Sequence, residues 1–148
     1  MGFDVKKPNN PERIYISRKD SQWGQIVNET EVIDFLSKFG FINVVLSFMS
    51  VSEQIALFSN AKVVIGPHGA GLTNIVFCQP KTKIIELFGE NSVREHFYSI
   101  SNVCHLEYYY LIGDRSKEDL FIEGVGPREN MIINLNSLSE LMKLAGIY

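Results

Sequence analysis

The sequence predicts a three-layer α/β domain of the Rossmann-like type, built on a mostly parallel sheet of five to six strands. Two observations carry that expectation. Short apolar runs alternate with stretches whose apolar residues recur at helical spacing, the mark of consecutive βαβ units. The apolar runs are nearly continuous rather than alternating, as strands covered by helices on both faces are. The chain of 148 residues, 45% of them apolar, is one domain's length. At that size folding buries roughly 70% of the surface the unfolded chain exposes.

The elements follow in order. Residues 1–11 form an arm broken by Pro8-Asn9-Asn10-Pro11, and residues 12–148 form the domain. Arg13-Ile14-Tyr15-Ile16-Ser17-Arg18 is a β-branched and aromatic run, the first strand. Asn28, with Glu31 three residues on, predicts a helix start; Val32, Ile33, Leu36 and Phe39 give its apolar face, and Gly40 stops it. Phe41 to Leu46 is the second strand. Ser50 and Glu53 make a capping box for a helix faced by Val51, Ile55 and Phe58. Lys62 to Gly66 is the third strand, closed by Pro67, and Gly71 to Phe77 a short helix. Lys83 to Phe88 is the fourth strand. Ser92 and Glu95 predict the cap of the next helix, which leads to a fifth strand over Leu106 to Ile112. Gly113 to Asn130 lacks periodicity and is expected to be a long loop. Met131 to Asn134 is a short sixth strand, and Ser137 with Glu140 caps a last helix that buries Leu138, Leu141, Met142 and Leu144.

Composition excludes several classes. The formal charge of −3 and the pI near 5.6 do not suit a nucleic-acid binder that works through bulk positive charge. No window holds 18 consecutive apolar residues, so no membrane span is expected. Met1 to Lys7 lacks the apolar core of a secretory signal, and a cytoplasmic location is the expectation, lumenal Golgi or ER if the chain is eukaryotic. Cys78 and Cys104 are not spaced as a metal knuckle and are expected to be free packing thiols. No metal-ligand spacing, nucleophile elbow or dinucleotide G-x-G-x-x-G after the first strand is present.

In an open parallel sheet, ligands bind beyond the carboxyl ends of the strands where the strand order reverses. With chain order running outward on both sides of strand one, that crevice lies between strands one and three. The first ends in Ser17-Arg18, the second in Gly66-Pro67-His68-Gly69-Ala70-Gly71-Leu72-Thr73-Asn74. Gly69 and Gly71 allow close backbone approach, and the N–H groups that open the following helix suit a phosphate. His68 can donate to a phosphate oxygen or carry a proton. The plainer reading is a glycine-rich connection. Arg18 can fork onto a phosphate or simply be solvated. Asn74 can face the ligand or bond the loop. Glu86 stands in a strand buried on both faces, where an unpaired carboxylate is costly. It can accept from ribose hydroxyls, or pair with Lys62, Lys83 or Arg94. Glu29 is first of all a first-turn acid that suits the helix dipole. His96 and His105 are expected to be structural or surface residues.

These residues carry a resemblance. Ile16-Ser17-Arg18, Asn28-Glu29-x-Glu31, Ser52-Glu53-Gln54-Ile55-x-Leu57-Phe58, Gly66 to Asn74 and Ile85-Glu86-Leu87 stand in the order of a known pattern. Across about residues 12–112 the chain resembles the glycosyltransferase family 61 domain. The resemblance implies the C-terminal, donor-binding half of a GT-B enzyme. That enzyme would invert configuration, need no bound metal or cofactor, and take a nucleoside diphosphate sugar, UDP-sugar foremost, for transfer to a glycan or protein acceptor. It implies that His68, Gly69, Ala70, Gly71, Leu72 and Asn74 hold the donor diphosphate and that Arg18 adds charge to it. Glu86, or failing it Glu29, would hold the ribose, and His68 is the candidate catalytic group. An N-terminal GT-B domain, in this or another chain, would bring the acceptor site and base, so this chain alone is expected to bind nucleotide weakly and transfer little sugar. Trp23-Gly24-Gln25-Ile26 stands where family members commonly carry arginines. The alternative is a non-enzymatic Rossmann-like interaction domain whose Gly113–Asn130 loop makes the contact.

Overall fold

The computed structural model describes residues 10–22, 24–116, 121–122, 126–127 and 130–148. Most of the 1–11 arm and Trp23 lie outside the described residues. Five strands form one sheet: β1 (Arg13–Ile16), β2 (Ile42–Val44), β3 (Val63–Pro67), β4 (Lys83–Phe88) and β5 (Glu107–Ile112). Their order is β2-β1-β3-β4-β5, and every neighbouring pair is parallel. Parallel neighbours need crossovers. These are α1 (Glu29–Ser37), α2 (Val51–Asn60), a 3-10 helix (Ala70–Phe77) and α3 (His96–Val103), with α4 (Leu135–Leu144) closing the chain.

Side-chain alternation sorts the sheet into two cores. Tyr15, Val63, Ile65, Ile85 and Leu87 face α1 and α4, where Val32, Leu36, Leu138 and Met142 are buried. Ile14, Ile16, Val64 and Ile84 face α2, the 3-10 helix and α3, where Phe58, Leu72, Ile75 and Phe97 are buried. The central strands have both faces covered, which is why their sequences do not alternate. By parity, Glu86 shares the second face with Ile84.

Three caps differ from expectation. The capping box of Ser50 and Glu53 forms as predicted. Asn28 stands at the N-cap of α1 without capping it, because its amide spans the fold instead: it donates to the Ile133 carbonyl at 2.8 Å and accepts from the Ile133 N–H at 2.9 Å. Ser92 is spent in a turn, its N–H bonding the Gly89 carbonyl, so α3 starts only at His96 behind Glu95. Asn134, not Ser137, caps α4, accepting from the Ser137 N–H at 3.0 Å. An Asn acceptor three residues earlier is as good a cap as Ser.

The sixth strand does not join the sheet. After β5 the Gly113 N–H still bonds the Phe88 carbonyl, and the chain then leaves. Asp114–Arg115 pairs antiparallel with Met131–Ile132, and Phe121–Ile122 with Gly126–Pro127. The Gly113–Asn130 stretch is thus partly paired backbone rather than loop throughout; residues 117–120, 123–125, 128 and 129 lie outside the described ones. Met131 also exchanges backbone bonds with Gln25 and Val27, which ties this ribbon to the segment that enters α1.

Candidate functional site

The strand order 2-1-3-4-5 reverses between β1 and β3, so the crevice lies where the sequence puts it. Each strand delivers one functional group to its rim. Past β1, the Arg18 guanidinium crosses to the other strand and donates through Nη1 to the His68 carbonyl at 2.6 Å. Its Nη2 donates to Ser21 Oγ at 2.9 Å. Burial works against the charge and lowers the Arg18 pKa, while Asp20 opposes that shift. The guanidinium lies so close to the loop that a Cβ on Gly69 would stand 2.8 Å from Arg18 Cζ. Gly69 therefore serves close approach; its φ of 165° is extended backbone.

His68 sits one step past β3. Its N–H extends the sheet ladder to the Leu87 carbonyl at 2.9 Å. Its ring lies on the second face, where Nδ1 meets Glu86 Oε2 at 2.6 Å. Glu86 is fully buried, and its other oxygen accepts from the Tyr108 hydroxyl at 2.6 Å. Burial pushes the Glu86 carboxyl above its ordinary range, and the bonds from Tyr108 and His68 pull it back down. Burial and the neighbouring carboxylate likewise hold the Tyr108 hydroxyl protonated, as a donor. The chain Tyr108–Glu86–His68 fixes the imidazole through Nδ1. Nε2 has no hydrogen-bond partner among the described residues. Phe88 and Phe97 flank the ring, with centroids 5.4 and 5.3 Å away.

The pairing of Glu86 is thus with histidine. Lys62 pairs with Glu12, and Lys83 with Glu107. A ribose contact at Glu86 would have to displace one of two short hydrogen bonds. Glu29 is placed differently. It accepts from the Tyr15 hydroxyl at 2.9 Å and lines a small polar pocket of ≈ 120 Å³ with Arg18, Lys19 and Gln25.

The rest of the His68 loop is built from backbone. Leu72 is buried in the core, so only its main chain can meet a ligand. No side chain among the described residues caps the 3-10 helix that begins at Ala70. Ala70 and Gly71 line a crevice of ≈ 280 Å³ together with Ser17, Arg18 and Ser47. Asn74 takes the structural option, donating to Gln54 Oε1 at 3.0 Å and to the Gly71 carbonyl at 3.2 Å. Gln54 in turn donates to the Leu46 and Met49 carbonyls, so Asn74 braces the loop against α2.

Two participants escape sequence reasoning. His96, expected to be structural or surface, opens α3 with its ring centroid 6.1 Å from that of His68. Tyr108 carries no motif at all. Both line a cleft of ≈ 720 Å³ over β4 and β5, with Phe88, Arg94, Tyr98 and Tyr110. The only available signal for Tyr108 is position: strands joined through a helix commonly lie side by side, as β4 and β5 do, but neither that adjacency nor the pairing register is legible from sequence. Cys78 and Cys104 are free, and burial, with Cys104 nearby, pushes the Cys78 thiol up to about 12. Among the described residues no helix is long and apolar enough to cross a membrane. Nor do three or more His, Cys, Asp or Glu side chains gather there to hold a metal.

Comparison with known proteins agrees with the motif pattern. The profile described as Glycosyltransferase 61 matches residues 2–85, more than half of the chain. A beta-1,2-xylosyltransferase of Arabidopsis thaliana is 33% identical over 137 residues, covering 82% of this chain and 23% of the relative. A beta-1,2-xylosyltransferase of Oryza sativa subsp. japonica is 38% identical over 93 residues, 57% of this chain and 17% of the relative. An EGF domain-specific O-linked N-acetylglucosamine transferase of Drosophila melanogaster is 33% identical over 92 residues, 60% of this chain and 18% of the relative. The chain spans about a fifth of the length of these relatives.

Proposed function

From its place in the glycosyltransferase 61 family, to which this chain belongs, we propose that it forms the donor-binding half of a GT-B glycosyltransferase. The observation that carries the reading is the meeting of Arg18 and His68 from two strands at the point where strand order reverses. Arg18 supplies a fixed positive charge. The His68 ring faces a phosphate oxygen with Nε2, and the Gly69–Leu72 backbone closes around the diphosphate. These groups are aimed at the charge that develops on the leaving nucleoside diphosphate as the glycosidic bond breaks. They do so without a bound metal, and transfer is inverting. Glu86 acts through His68 by fixing its ring, and Glu29, beside Arg18, takes the ribose hydroxyls. The acceptor site and base belong to an N-terminal domain in the same or another chain.

The test is a titration of UDP and UDP-sugars in EDTA, followed by amide NMR on wild type, Arg18→Ala and His68→Ala. We expect shifts at residues 66–74 in wild type, with affinity about 10-fold or more weaker in either variant. If no nucleoside diphosphate perturbs these amides, or only does so with added divalent metal, the reading fails.

A further inference from the structure

Strand β5 stands at one edge of the sheet, and its outer backbone has no partner among the described residues. We propose that a second copy of this chain pairs with it, β5 against β5 in antiparallel sense, about a two-fold axis at Tyr110. This interface is independent of the diphosphate site.

The ladder to β4 decides which groups are free. The Glu107 N–H bonds the Thr82 carbonyl at 3.0 Å, and the Gly113 N–H bonds the Phe88 carbonyl at 2.8 Å. With Lys83 opposite Glu107 and Phe88 opposite Ile112, Glu107, Tyr109 and Leu111 turn their N–H and C=O toward β4. Tyr108, Tyr110 and Ile112 therefore turn theirs to the outside, where they bond nothing among the described residues. Such an edge is a template for another strand, and proteins commonly blunt it with lysine, proline, a bulge or short length. The opposite edge is blunted. There β2 has only three residues, and since the Ser17 N–H bonds the Val44 carbonyl, Asn43 alone faces outward. β5 has six residues, Glu-Tyr-Tyr-Tyr-Leu-Ile, and none of these devices.

The strand is complementary to itself. Antiparallel partners exchange both main-chain bonds where each turns its groups toward the other. Only a register centred on Tyr110 opposes every outward residue to an outward residue. Tyr108 then faces the partner's Ile112, Tyr110 faces the partner's Tyr110, and Ile112 faces the partner's Tyr108. The side chains agree with the backbone. Tyr110 lies beside Glu86 on the second face, where it is 52% exposed, and Ile112 on the same face is 45% exposed. Across the axis a tyrosine would cover an isoleucine and the central tyrosine its own copy. On the first face Tyr109 would meet the partner's Leu111. Aromatic pairs and aromatic with β-branched pairs are the favourable cross-strand neighbours. Charge fits as well: Glu107 would face the partner's Gly113 and Asp114 the partner's Leu106, so no like charges are opposed. A single strand pair is a small contact beside the roughly 1,200–2,000 Å² of a stable complex, so dissociation in the micromolar to millimolar range is expected.

Sedimentation equilibrium of this chain from micromolar to millimolar concentration, joined to residue-resolved amide hydrogen exchange, tests the pairing. The mass should rise from 16.8 kDa toward twice that value. The amides of Tyr108, Tyr110 and Ile112 should gain about 10-fold or more in protection with concentration, while those of Tyr109 and Leu111 stay protected throughout. Tyr110→Lys sets like charges opposite each other on the axis and should abolish the dimer, and so should Tyr110→Glu. An equimolar mixture of the two variants should restore it, because position 110 faces itself. If the position-110 variants do not fold by circular dichroism, Ile112→Lys, which would face the partner's Tyr108, takes their place and should also abolish the dimer. A chain that stays monomeric at millimolar concentration overturns the proposal. So does a dimer that survives the lysine substitution, or a mixture of folded Tyr110→Lys and Tyr110→Glu that stays monomeric. Protection of Tyr110 that ignores concentration assigns the edge to other residues of the same chain and overturns it too.

Discussion

Replacing Tyr108 by Phe removes one oxygen from the centre of the site and should cost stability in a pH-dependent way. Tyr108 donates at 2.6 Å to a carboxylate with no solvent exposure, so water cannot replace the lost donor. A hydrogen bond to a buried charged group is worth about 1.5–3 kcal/mol. In a domain of this size that lowers the melting temperature by about 4–9 °C. The sign with pH follows from Glu86. Burial raises its folded pKa above the ordinary value of 4.5, while the Tyr108 bond opposes the rise. Between 4.5 and the raised value the folded state therefore holds more protons than the unfolded one. Stability contributed by this group is then full below 4.5 and declines as pH climbs through the folded pKa. Without Tyr108 Oη the folded pKa moves higher and the decline goes deeper. At acid pH the carboxyl is neutral and the missing bond is an ordinary one, worth about 1 kcal/mol. Urea unfolding of wild type and Tyr108→Phe at a pH below 4.5 and at pH 8 checks this. A loss of equal size at both pH values, or none at pH 8, would refute the Tyr108–Glu86–His68 chain as described.

Two further substitutions separate roles that sequence alone confuses. Gly69→Ala places a methyl group 2.8 Å from Arg18 Cζ, and the side chain that yields is the mobile guanidinium rather than the backbone. Unfolding stability should change by less than about 1 kcal/mol, while UDP affinity falls as far as in Arg18→Ala; a double variant no weaker than either single one confirms the shared cause. Asn28→Ala deletes both bonds to the Ile133 backbone and should cost about 1–3 kcal/mol. Hydrogen exchange should accelerate at Ile133 and leave the first turn of α1 unchanged; the opposite pattern would restore the capping role.

What could be read in the sequence was whatever depends on local chemistry. The continuous apolar runs of β1, β3 and β4 identify a covered parallel sheet, and the Ser50–Glu53 box identifies the start of α2, because both signals lie within a few residues. The crevice between β1 and β3 was legible only on the premise that β1 is central with chain order running outward on both sides, and the order β2-β1-β3-β4-β5 meets that premise. Asn28 fails for the opposite reason. A free Asn before an apolar helix has a local partner available, and nothing nearby shows that Ile133, 105 residues on, competes for the same amide. Glu86 fails in part. Its cost in a buried strand is evident, but the partners that relieve it arrive from the loop after β3 and from β5.

That failure says something about how the site is built. Register aligns Gly66, Glu86 and Tyr110 across three strands. His68 follows Gly66 by two residues and so returns to the same face one row further out. Tyr108 precedes Tyr110 by two and returns to it one row further in. The carboxylate is thus gripped diagonally from both sides, by a donor toward the core and by the imidazole toward the ligand. A buried carboxylate held by only one of these would leave an oxygen unpaired, at a cost comparable to the bond itself. Holding it by both makes the imidazole orientation a property of the sheet. It follows that His68→Gln or His68→Asn, which keep a donor but not the ring's reach, should disturb Glu86 less than His68→Ala while still failing to present a group at the position of Nε2. The comparison divides the stability role of His68 from its binding role, with urea unfolding reading the first and UDP titration the second.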